Sequence, residues 1–110
     1  MGWSDWRKIA EGNDRRAPAA VGTDGPATYE LSLPRSSGGD RTIVYVGETE
    51  NERARIIEYV RGDSPLEPRI ADALQKGSAL YQRATVQPTG EAARTFRDSL
   101  LVKYGYPWNK

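Results

Sequence analysis

The chain has 110 residues, 37% hydrophobic and 28% charged, a length that supports one compact domain with one core and excludes a two-domain enzyme. Sixteen Lys plus Arg stand against fifteen Asp plus Glu, for a formal charge of +1. The long-range pull of a strongly basic protein on nucleic acid or anionic lipid is therefore missing, and any basic surface must be local. There is no Cys and no His, which leaves Tyr, Arg, Lys and carboxylates as the groups able to do chemistry.

The first residues, MGWSDWRKIAEGNDRR, contain no apolar signal stretch, and Trp6 stands where an N-myristoylation motif needs Ser or Thr. No run approaches the ~18 apolar residues of a membrane span, so a soluble cytoplasmic protein without membrane contact is expected. Trp3, Trp6, Ile9 and Ala10 fall at helical spacing before Gly12-Asn13, which predicts a short N-terminal helix with the two tryptophans packing it onto the domain. Residues 13–26, rich in Gly, Pro and Ala, read as a linker, so residues 1–24 form a helix and linker ahead of the domain proper. Ala27–Leu33 alternates Tyr29, Leu31 and Leu33 against Thr28, Glu30 and Ser32, the period of a half-buried strand. After a polar tip, Arg41–Val46 is β-branched and aromatic, and the pair predicts a hairpin closed by Gly47.

Asn51 caps a helix predicted to run to about Arg61, with Glu52 in its first turn and Ile56, Ile57 and Val60 as the apolar stripe. Arg53 falls at the centre of that stripe and is expected to snorkel or to reach Glu30 or Glu48. A second helix begins near Pro68, buries Ile70, Ala73 and Leu74, and ends at Gly77. Ala79–Val86 reads as a third strand. Thr89 caps a last helix to about Tyr104, with Ala93, Phe96, Leu100, Leu101 and Tyr104 as its buried stripe and Arg97 inside it. A two-helix crossover between the second and third strands predicts a three-stranded antiparallel sheet flanked by helices.

Within this order lie Ala27-Thr28-Tyr29, then Tyr45-Val46-Gly47, then Asn51, Arg55 ten residues beyond Tyr45 and Tyr59 one turn further, and finally the tail Tyr-Gly-Tyr-Pro-Trp-Asn ending at Asn109. Over about residues 25–109 the chain resembles the GIY-YIG nuclease family. The resemblance implies an α/β domain of that fold and metal-dependent phosphodiester cleavage. A motif tyrosine helps deprotonate water, the helix arginine neutralises the scissile phosphate, and a glutamate of the last helix holds one divalent ion. Carried onto this sequence, Tyr29, Tyr45, Arg55 and Tyr59 are the catalytic candidates, Gly47, Arg97 and Asn109 the substrate-binding candidates, and Asn109 and Trp108 lock the tail.

The family's glutamate lies twelve residues before the tail asparagine, and here that position is Arg97, with Asp98 pointing nearly opposite on the helix. A guanidinium in place of a carboxylate removes a ligand and repels a cation, so no metal cofactor is expected. Arg97 is read either as paired with Glu48 or Glu91, or as an anion-binding group. The expected function is a nuclease-like domain that binds nucleic acid or another phosphate-bearing ligand without standard cleavage. The alternative is a repurposed, metal-independent enzyme or binding domain acting on a small anionic molecule in the same Tyr/Arg cleft.

Overall fold

A computed structural model describes residues 2–15, 22–34 and 41–109; the hairpin tip at 35–40 and residues 16–21 of the expected linker lie outside the described residues. In chain order the elements are β1 (Arg7–Glu11), β2 (Ala27–Pro34), β3 (Arg41–Thr49), α1 (Glu52–Arg61), α2 (Glu67–Gln75), β4 (Ala79–Val86), α3 (Gly90–Lys103) and a 3-10 turn over Pro107–Asn109. The α1 boundaries follow local chemistry: the Asn51 side chain accepts from the Ala54 amide, and Gly62 takes the left-handed conformation at φ 78° that closes the helix.

The strands form one antiparallel sheet in the order β1-β4-β2-β3. This corrects two expectations: the sheet has four strands, and residues 7–11 form its extra edge strand where a helix was expected. Ile9 and Ala10 are buried side by side because the register slips between Lys8 and Ala10. That slip removes the alternation by which a strand is recognised. The start of the chain is thus part of the sheet.

Alternation along β2 divides the molecule into two layers. Tyr29 and Leu31 belong to the core cluster with Ile56 and Tyr59 of α1 and Ile70 of α2. On the other face the Thr28 hydroxyl donates to the Ala93 carbonyl of α3 at 2.8 Å, and Glu30 accepts from the Tyr106 hydroxyl at 2.6 Å. α3 packs mainly on β3, the second edge strand. For that reason only a narrow side of α3 is covered: Ala93 is buried, Phe96, Arg97 and Leu100 are half-buried, and Leu101 and Tyr104, expected in the buried stripe, are exposed. Among the described residues no helix is long and apolar enough to cross a membrane.

Candidate functional site

The tyrosines and Arg55 meet where β2, β3 and α1 converge. Tyr29 lies opposite Gly47 on β3 and opposite Ala84 on β4, two small residues that leave its ring room. The space over Gly47 is fully used, because a Cβ there would lie 2.5 Å from Tyr29 Oη and 2.8 Å from Tyr45 Cε2. The Tyr29 ring stands 6.2 Å from that of Tyr45 and meets Tyr59 edge-on at 6.0 Å. The Tyr29 and Tyr59 hydroxyls share a hydrogen bond of 2.6 Å, and Arg55 donates to the Tyr29 hydroxyl at 3.0 Å. Its Nε faces Glu58 at 3.0 Å.

Only part of this cluster reaches solvent. Tyr29 and Tyr59 are 1% and 3% exposed, and Tyr45 is half-buried. Burial raises the Tyr29 pKa to about 12, with the Tyr45 ring adding to the rise and Arg55 opposing it. Burial and the neighbouring Tyr29 also raise that of Tyr59. At neutral pH both are phenols that orient hydrogen bonds, and neither is a ready base. Burial works against the Arg55 charge, but the Tyr29 hydroxyl, Tyr59 and Glu58 outweigh it and its pKa is raised. Arg55 is a permanent cation whose side chain keeps 33% of its exposure.

What holds Arg55 in place is the first turn of α1. Buried Glu52 accepts from Arg7 of β1 at 2.7 Å, from the Gln82 amide of β4 at 2.9 Å and from the Thr23 backbone at 3.1 Å. The helix start is thereby tied to two strands and a loop. Glu52 also complements the positive end of the helix. Arg53, expected to snorkel or to reach Glu30 or Glu48, keeps 41% of its side-chain exposure and pairs with neither glutamate, reaching Asp24 at 2.8 Å and the Gly22 carbonyl at 3.1 Å. The 22–25 segment crosses this end of α1, and those acceptors are nearer.

Arg55 opens onto a cleft of about 550 Å³ at the outer edge of β3, lined by Glu48, Thr49, Glu50, Asn51, Ala54, Arg55, Glu58 and, from α3, Arg94. Arg94 was not singled out in the sequence, where the spacing to Asn109 and the apolar stripe pointed to Arg97, one turn later, instead. Arg97 is half-buried and its Nε bonds Asp98 at 2.9 Å. The expected partners Glu48 and Glu91 do not take this role: Glu48 faces Arg94 at 3.9 Å, and Glu91 lies nearly two turns away on the same helix. A long guanidinium side chain can fold along the helix surface to its sequence neighbour, which the angular separation of the two positions does not show. Asn109 clamps the edge of β3, accepting from the Val46 amide and donating to the Val46 carbonyl, both at 2.9 Å. Trp108 packs against the core, as expected for a locked tail.

The residues present do not fit a divalent ion of the kind the family resemblance implies. Among the described residues no group of three His, Cys, Asp or Glu could hold one. The α3 position in question carries a cation whose carboxylate neighbour it already engages. The N-terminal tryptophans do pack the start of the chain onto the sheet, as expected: Arg83 lies between the Trp3 and Trp6 rings at 4.6 and 4.5 Å. Comparison with protein-family profiles, with curated proteins and with solved structures finds no match.

Proposed function

We propose that this chain is a GIY-YIG-like domain that binds a phosphate-bearing ligand, nucleic acid in the first instance, at the cleft beside β3, without the metal-dependent cleavage that the resemblance implies. The observation that carries this reading is the Arg55 guanidinium, fixed by the Tyr29 hydroxyl at 3.0 Å and presented to an open cleft. A positioned guanidinium is the strongest neutral-pH recognition group for a phosphate oxygen, and the buried tyrosine pair fixes its direction. The tyrosines act here through Arg55. With +1 overall, affinity must come from local cations, so binding is expected to be weak, with a salt slope of only about one for each phosphate contact.

A second reading is favoured by the carboxylates of the same cleft. Glu48, Glu50 and Glu58 line it and would repel the successive phosphates of a polymer while leaving room for a single anionic group, so a small phosphate- or carboxylate-bearing molecule is the alternative ligand. Fluorescence anisotropy of a labelled oligonucleotide, competed with a mononucleotide and with small carboxylates at constant ionic strength, tests both readings. Binding lost in Arg55→Ala and competed best by unlabelled oligonucleotide supports the first, and better competition by the small anions supports the second. Equal behaviour of parent and Arg55→Ala removes both. A plasmid-nicking assay with magnesium is expected to give no EDTA-sensitive product, and robust nicking would overturn the metal-free reading.

A further inference from the structure

The cleft needs a second cation to grip a phosphate group from two sides, and the sequence and the geometry give different answers about which arginine supplies it. α3 runs alongside the β3 edge. At its first turn a Cβ on Gly90 would meet Glu50 Oε1 at 2.8 Å, and one turn later Arg94 faces Glu48 at 3.9 Å. Two residues of strand span ~6.6 Å and one helical turn ~5.4 Å, so the two elements step together. The lining of the cleft includes neither Arg97 nor Asp98 of the next turn, and it does not reach Val46, two residues along β3 from Glu48. Both outward backbone groups of Val46 are already taken by the Asn109 side chain. The tail closes the edge there, and the cleft ends before it.

We infer that Arg94 is the second guanidinium of this cleft, and that Glu48 is a counter-ion which Arg94 leaves when a phosphate is bound. This rests on the phosphate-binding reading of the site. Arg94 lines the same cleft as Arg55, its side chain is 59% exposed, and its contact with Glu48 at 3.9 Å is too long for a hydrogen bond. Such a loose pair contributes little to stability and is readily exchanged for a phosphate oxyanion that accepts hydrogen bonds from the guanidinium. Glu48 keeps 22% of its side-chain exposure and stays at the cleft wall when Arg94 turns away. The ligand is thus held between one guanidinium that is rigid, on α1, and one that is mobile, on α3.

The test is anisotropy of a 5′-labelled oligonucleotide across a salt series with the parent, Arg55→Ala, Arg94→Ala, Arg94→Lys, Arg97→Ala and Glu48→Gln, each checked for unchanged thermal unfolding. Arg94→Ala is expected to weaken binding about tenfold and to lower the slope of log affinity against log salt by about one, and Arg94→Lys to recover most of the slope. Glu48→Gln is expected to tighten binding a few-fold, because the competing carboxylate is gone. Loss of binding in Arg55→Ala and Arg97→Ala with Arg94→Ala like the parent would overturn the inference and leave the phosphate-binding reading standing. Parental binding in both Arg55→Ala and Arg94→Ala, or no binding by the parent of either the oligonucleotide or a labelled mononucleotide, would overturn both.

Discussion

Arg83 and Arg55 sit on opposite faces of the same sheet, each beside aromatic rings and a carboxylate, and they do opposite things. The Arg83 guanidinium is enclosed: Trp3 and Trp6 flank it, and its Nε and Nη2 both point to buried Glu30 at 2.8 and 2.7 Å. Arg41 extends the stack, between Trp6 at 5.1 Å and Tyr81 at 4.8 Å. Arg55 has one ring at 6.0 Å, one hydroxyl and one exposed carboxylate, and the rest of it faces the cleft. The same residue types thus make a fastener on one face and a recognition group on the other. What separates them is how much of the guanidinium is left to bind something else.

The sharpest way to break the comparison is to unload the fastener. Glu30→Ala leaves Arg83 without its carboxylate and the Tyr106 hydroxyl without its acceptor, in a place where Glu30 is 3% exposed. Breaking a buried pair from one side costs about 3 kcal/mol or more. A drop of that size in chemical denaturation is expected, with loosening of the 2–6 segment and of the tail, while the fraction that stays folded keeps the phosphate affinity of the parent. If Glu30→Ala instead leaves stability untouched and weakens binding, the two faces are not independent and the division drawn above fails.

A smaller effect, about 1–3 kcal/mol, is expected for Gly47→Ala, where a new methyl group enters the space occupied by the Tyr29 hydroxyl. Here stability and recognition should fall together, because displacing Tyr29 removes the group that aims Arg55. A Gly47→Ala protein that binds as well as the parent would mean that Arg55 is aimed by Glu58 or by the helix alone.

Most of the scaffold was legible because its signals are local. Asn51 and Thr89 cap α1 and α3 through their own side chains, and the alternation of 27–33 reports a strand with two distinct faces. The grouping of Tyr29, Tyr45, Arg55 and Tyr59 was expected from the family resemblance that their spacing carries, and the four side chains do meet. β1 was not. Its five residues carry a register slip and two adjacent buried positions, so its strand character comes from pairing with β4, a contact between distant parts of the chain. Trp3 and Trp6 imitated a helix because their three-residue separation matches one helical turn, although residues 2–6 are not helical and both rings lie against Arg83. Arg94 was invisible for a different reason: the spacing to Asn109 drew attention to Arg97, and only the packing of α3 against β3 puts Arg94 in the lining of the cleft.

The smallest expected effect isolates the hydroxyl pair beneath Arg55. Tyr59→Phe removes the partner of Tyr29 in the 2.6 Å bond but keeps the ring that packs on it, so the loss at neutral pH is about 1 kcal/mol. Alkali gives the more specific readout. Burial raises the Tyr29 pKa to about 12 and raises that of Tyr59 as well, whereas unfolded tyrosines titrate near ~10. Above pH ~10 the unfolded chain therefore releases protons that the folded chain retains, so the stability contributed by the buried phenols is complete below pH ~10 and declines as pH rises toward 12 and beyond. Tyr59→Phe deletes one of the protons retained by the pair, and its stability should fall less steeply with pH than the parent's over that range. The Arg83 face has a buried phenol of its own, Tyr106, whose pKa is raised by burial and by its bond to Glu30, but Trp6→Ala leaves that group in place and should lower stability by the same amount at pH 8 and pH 11. Parallel alkaline slopes for the parent and Tyr59→Phe would show that Tyr59 ionises as freely in the folded protein as in the unfolded one, and that the pair beneath Arg55 is open to water.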